Sequence, residues 1–192
     1  MSLFTRLVLC TIIFAGIATR SQASIISYLA LLDGPSESPP NASPGTGTAN
    51  VDYDDAAHTL HVHVVFAGLL GNTTASHIHS ATAVPGVGTA GVATTTPTFA
   101  GFPLGVTAGV YDNTLNMTLT SSWNPSYITA NGGSPGTAEA ALALGLAQDR
   151  AYLNVHSNLF PGGEIRGFLQ PVPEPGSLSL LGLSALALRR RR

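Results

Sequence analysis

Apolar and polar residues alternate in short bursts along most of the chain, and turn-forming residues separate the bursts. In TANVDY (48–53) the alternation runs up to Asp54-Asp55-Ala56-Ala57, which reads as a turn. TLHVHVVFAGL (59–69) follows, with Leu60, Val62, Val64 and Phe66 on one face and His61 and His63 on the other. These two runs predict a hairpin. TASHIHSA (74–81) predicts a further short strand, and GVYDNTLNMTLT (109–120) a second hairpin turning at Asp112-Asn113. AYLNVH (151–156) and EIRGFL (164–169) predict a closing pair of strands. TAEAALALGLAQ (137–148) places strong helix formers behind Thr137 as N-cap and predicts one short helix in a late crossover. Residues 34–47, 84–108 and 122–136 are rich in Gly, Pro, Ser, Thr or Ala, have no clear period, and give no element. The pattern is therefore all-β, an antiparallel Greek-key-like β-sandwich or barrel with one short helix.

The two ends depart from this pattern. Residues 1–23 hold Arg6, the apolar run LVLCTIIFAGIA and the small residues Ser21 and Ala23 around Gln22. That order predicts an N-terminal signal peptide cut after Ala23. Cys10 is the only cysteine and leaves with the leader, so the body, residues 24–171, has no disulfide, thiolate nucleophile or cysteine-bound metal. Residues 172–192 hold Pro173, Glu174 and Pro175, an apolar stretch from Leu178 to Leu188, and then Arg189, Arg190, Arg191 and Arg192. An apolar helix ending in four arginines reads as a short membrane-entering segment whose arginine end stays on the cytoplasmic side.

This tripartite end resembles the PEP-CTERM sorting signal of Gram-negative bacteria that make extracellular polysaccharide. The resemblance implies an exosortase-type membrane protease as partner, cutting near Pro173-Glu174-Pro175. It also implies a precursor held briefly in the membrane by its C-terminal helix, and a final place at the cell surface or outside the cell, where extracellular polysaccharide is a further expected partner.

Charge changes the picture of the body. The chain has no lysine, and residues 24–171 carry nine acids against two arginines, Arg150 and Arg166. Such a body lacks the basic patch that nucleic acid requires, so no nucleic-acid partner is expected. Nor does any catalytic motif stand out: no G-x-S-x-G elbow, no phosphate-binding Gly loop and no H-E-x-x-H is present. Asp52, Asp54 and Asp55 lack the following Gly and distal Glu of a calcium loop and read as a solvated turn.

Five of the six histidines lie on predicted strands. His61 and His63 stand opposite an apolar face and are expected in solvent. His77 and His79 project from one face of their strand, and His156 comes from the closing pair. Three neutral imidazoles suit zinc or copper. The alternative is that these rings hydrogen-bond backbone or hydroxyl groups and lock loops to the sheet. In a simple register of the closing hairpin, His156 faces Glu164, Asn154 faces Arg166 and Tyr152 faces Phe168. The favoured reading gives the His156 imidazole to Glu164 and leaves the domain without a cofactor.

The series GTANVDYDDAAHTLHVHVVFAGL, ASHIHSATAVPGVGTAGV and AYLNVHSNLFPGGEIRG resembles the CHRD domain over about residues 28–170. The resemblance implies a secreted structural or binding module that is not an enzyme. A weaker likeness, to copper/zinc superoxide dismutase, rests on His77, His79 and His156. It implies, as the alternative, a periplasmic metal-binding protein. The segment 80–110 has no histidine to bridge two metals, which argues against a dismutase.

Overall fold

The computed structural model describes residues 25–173. The expected cleavage point at Ala23, the apolar C-terminal helix and the sorting residues Glu174, Pro175, Arg189, Arg190, Arg191 and Arg192 lie outside the described residues. Pro173, the last of those described, is exposed.

The strands are β1 (Ile25–Asp33), β2 (Thr46–Asp54), β3 (Thr59–Ala67), β4 (Thr73–Ser80), β5 (Gly109–Asn116), β6 (Ala151–Ser157), β7 (Ile165–Phe168) and β8 (Gln170–Pro171). They form one antiparallel sheet curled into a half-barrel, in the order β4-β6-β7-β1-β2-β3-β5, with β8 beside β1. Alternation sorts the faces: Ala49, Val51, Tyr53, Leu60, Val62, Val64 and Phe66 all turn to the core side and are buried. The expected hairpin of β2 and β3 forms, with Asp54 opposite Thr59.

Two regions differ from the sequence pattern. β1 was not marked by it, because its outward residues Leu29 and Leu31 are apolar and blur the period. The expected turn at Asp112-Asn113 is absent: β5 runs straight through, pairing His63 with Asp112 and Val62 with Asn113. Tyr111 and Leu115 flank that pair and point into the core, so alternation continues across it.

β4 and β5 lie at opposite ends of the strand order, and segment 81–108 bridges them. Its backbone follows β4, with Ala93 N donating to Ile78 O (2.9 Å), Phe99 N to Ser76 O (3.1 Å) and Ser80 N to Gly91 O (3.2 Å). The edge of β4 is thereby covered, which removes a template for aggregation. Phe99 and Phe102 from this segment pack on Tyr111 of β5, with ring centroids 5.3 and 5.6 Å away.

Helices close the concave side. The main one, α2 (Pro135–Ala147), begins two residues before Thr137. Ser134 is the N-cap: its hydroxyl accepts from Thr137 N at 3.3 Å, and the Thr137 hydroxyl accepts from Ser134 N at 3.3 Å. Pro135 in the first turn explains the earlier start, since its missing N–H costs nothing there. Leu142 and Leu146, one turn apart, are buried in the core and contribute about 2 kcal/mol each. A second short helix, α1 (Pro125–Ala130), occupies the expected loop, started by Asn124 and Pro125. Among the described residues, no helix is long and apolar enough to cross a membrane.

Candidate metal centre

On β4, Ile78 is fully buried in the main core, so His77 and His79 project from the opposite face of the strand. That face is not wet. His77 is 6% exposed and His79 8%, because segment 81–108 folds over them. β6 pairs with β4 so that Asn154 lies opposite His77 and Tyr152 opposite His79. β6 is buried on both sides: Leu153 and Val155 enter the core, while Tyr152, Asn154 and the half-buried His156 join the two histidines of β4. The result is a second, polar interior between the sheet and its covering loops.

The three imidazoles converge there. Their ligand nitrogens all lie within 4.8 Å of one another, and the group contains no carboxylate. Each ring has one nitrogen on a backbone carbonyl. His77 Nε2 donates to Pro97 O (2.7 Å), His79 Nδ1 to Ala90 O (2.8 Å) and His156 Nδ1 to Pro161 O (2.8 Å). Because a carbonyl only accepts, these bonds fix the tautomers of His77 and His156, while His79 Nε2 also faces an oxygen, Asn154 Oδ1, at 3.2 Å. The remaining nitrogens of His77 and His156 carry lone pairs and face each other: His77 Nδ1 and His156 Nε2 are 3.4 Å apart. Donating the outer N–H to a carbonyl is the arrangement that orients metal-binding histidines and raises their basicity.

Burial also keeps the rings neutral. It pulls His77 down to about 4, against the bond to Pro97, with His156 and His79 adding to the fall. His79 and His156 are lowered for the same first reason. Neutral imidazole is the form that binds metal, so little proton competition remains at neutral pH.

A ladder of stacked groups supports His79. Tyr152 lies parallel to it at 4.7 Å, and the Arg166 guanidinium sits 4.8 Å from the Tyr152 ring centre and 5.7 Å from that of Phe168. The β6–β7 register places Asn154 opposite Arg166 and Tyr152 opposite Phe168. Arg166 also binds the carbonyls of Ser36 and Gly88 and lies 3.9 Å from Glu37, tying two loops to the sheet. Glu37 is a member of this interior that the sequence did not mark, since it lies in the periodless stretch 34–47. A single acid in a Pro/Gly/Ser loop gives no signal of burial.

The expected His156–Glu164 pair does not form. Glu164 N bonds to Val155 O, so the simple register ends at Ile165, and Gly163 takes a φ of 132° that breaks the strand. The Glu164 carboxylate instead accepts from Ser43 Oγ (2.6 Å) and from the amides of Leu70 and Gly71. His156 turns to Pro161 and His77.

The other histidines are arranged differently. His61 and His63 both bond to Asp112, at 3.1 and 2.8 Å, on the outer face of the sheet. The Asp112 hydrogen bond lifts the His61 imidazole above its ordinary value. His58 pairs with Glu139, which also accepts from Tyr53 OH. Asp54 accepts from the amides of Ala56 and Ala57, forming a turn and not a calcium loop.

A family model of the CHRD domain matches residues 28–169. The chain belongs to the CHRD domain family. A second family model, the PEP-CTERM protein-sorting motif, matches residues 171–192. No curated protein and no solved structure matches the chain. The His-x-His strand, its covering segment and the closing strands thus all fall inside the CHRD match, and the sorting motif begins as that match ends. A PEP-CTERM motif implies recognition by an exosortase-type system and processing at the cell envelope.

Proposed function

We propose that this CHRD protein is a non-enzymatic module of the cell surface or of an extracellular polysaccharide matrix. It reaches that place as a membrane-anchored precursor in a Gram-negative cell, and exosortase-type cleavage at Pro173-Glu174-Pro175 frees its body. The observation that carries this reading is the order of the two matches: the domain ends at residue 169 and the sorting motif begins at 171. The body therefore sits next to the processing point with almost no spacer. The acid-rich, lysine-free composition suits a body that remains soluble beside neutral glycans. The engagement of Glu164, Glu139 and Asp112 in structural hydrogen bonds supports a module without general acid–base chemistry.

The test is replacement of Pro173, Glu174 and Pro175 by alanine in the full chain. The variant should accumulate uncut in the membrane fraction, while the wild-type body is recovered from the surface or the polysaccharide. Normal processing of the variant would count against the reading.

A further inference from the structure

The geometry points to a single-ion copper site built from His77 Nδ1, His79 Nε2 and His156 Nε2, which holds the ion as copper(I). The ground is the distribution of protons. His77 and His156 have each committed their one N–H to a carbonyl, at Pro97 and Pro161, while His79 Nδ1 faces Ala90 O. The nitrogens of His77 and His156, 3.4 Å apart, then meet lone pair to lone pair. A neutral tautomer with a proton between those rings strips Pro97 or Pro161 of its donor, leaving a polar group poorly paired. A bound cation removes the conflict without moving any proton. Metal–nitrogen bonds of about 2.0–2.1 Å place two ligand nitrogens about 3.3–3.5 Å apart, which is the spacing the two rings already have. From the 4.8 Å outer limit of the cluster, His79 needs to close by at most about 1.4 Å to reach the same ion, within the reach of a side-chain adjustment.

Charge selects the ion. Three imidazoles bring no negative charge, so the buried site carries the full charge of whatever it binds. The cost of burying an ion grows with the square of its charge, so a divalent ion pays about four times what a monovalent one does. Arg166 stands behind Tyr152 on the His79 side and adds a positive field. The nearby acid Glu37 lies 3.9 Å from the guanidinium and is not part of the histidine cluster. Zinc in such a set completes four ligands with an added water or anion. Copper(I), which imidazole also suits, is singly charged and accepts three neutral ligands. Asn154, whose Oδ1 lies 3.2 Å from His79 Nε2, can turn its amide NH2 to that nitrogen when the ion leaves.

The test is metal titration of the full chain, purified in detergent. Copper(I) is supplied with a competing chelator under ascorbate, zinc chloride in a parallel series, and the wild type is compared with H156Q, H77A and H79A. One equivalent of copper(I) should bind more tightly than zinc, with X-ray absorption showing nitrogen ligands near ~2.0 Å. H156Q alters the least buried ring, and unchanged circular dichroism would establish that it folds; copper affinity there should fall by about 100-fold or more. A stoichiometric zinc ion that outcompetes copper(I) would overturn the copper assignment. Binding undiminished in folded H156Q, or no stoichiometric ion at all, would overturn the site. Neither result touches the sorting proposal, whose readout is cleavage.

Discussion

Glu37 and Glu164 are both buried, yet their surroundings push them in opposite directions. Around Glu37, burial outweighs the attraction of Arg166 and lifts the carboxyl to about 7, and its Oε1 has no hydrogen-bond partner. Unfolded, the same group titrates near its ordinary value, so the folded state prefers the protonated form. Stability is then fullest below the unfolded pKa and falls as pH rises toward 7, staying low above it. Glu37→Gln removes this loss. The variant should melt above the wild type at pH 8, by up to about 3 kcal/mol of stability, with the gap closing by pH 4. A gap independent of pH would show that Glu37 is not the titrating group. Glu164 is the reverse. Burial pushes it up, but hydrogen bonds from Ser157, Ser43 and the amides of Leu70 and Gly71 outweigh that and hold it low. Its contribution is present above the unfolded pKa and lost as pH falls through the folded one. Glu164→Gln turns an NH2 toward groups that donate, and should cost about 2–4 kcal/mol at pH 7, shrinking in acid, as urea unfolding would measure.

At the scale of elements, β7 owes its closeness to β1 to one glycine. A Cβ on Gly167 would lie 2.1 Å from the carbonyl oxygen of Leu31, a backbone atom that cannot swing aside. Gly167→Ala should therefore push β7 off β1 and cost more than about 2 kcal/mol, read as a lowered midpoint in chemical denaturation. An unchanged midpoint would mean the sheet opens there at little cost. The elements legible in the sequence were those whose signal is local. β2 and β3 alternate cleanly, and the His-x-His strand shows which side chains share a face. α2 announces itself by helix formers, although its cap is Ser134, with Pro135 in the first turn and Thr137 at the third position. The rest depends on distant partners. Asp112-Asn113 carries turn chemistry, yet pairing with β3 keeps it extended, since His61 and His63 supply partners for Asp112. The polar face of β6 becomes an interior only because segments 34–40 and 88–98 fold over it. The convergence of His156 with His77 was legible as a possibility; its release from Glu164 was not, because it follows from the break in strand geometry at Gly163.

In the whole molecule, the three imidazoles connect parts that are distant along the chain. His77 and His79 sit on β4, His156 on β6, and the carbonyls that orient them belong to the covering segment (Ala90, Pro97) and to the β6–β7 loop (Pro161). An ion bound by all three rings therefore links the end strand of the sheet, its cover and the closing hairpin. Unfolding separates these parts and releases the ion, so binding to the folded state alone adds stability by mass action. At a free copper(I) concentration of one hundred times Kd the gain is about 2.7 kcal/mol. For a domain of this size that amounts to about 5–10 °C in Tm. The expected result is a rise of that order for the wild type under ascorbate, growing with the logarithm of free copper. In H156Q the rise should nearly vanish, while Glu37→Gln, whose side chain touches none of the ligands, should keep it. If copper raised the Tm of H156Q as much as that of the wild type, the ion would be acting elsewhere. If it raised neither, the three rings would serve only to hold their loops to the sheet.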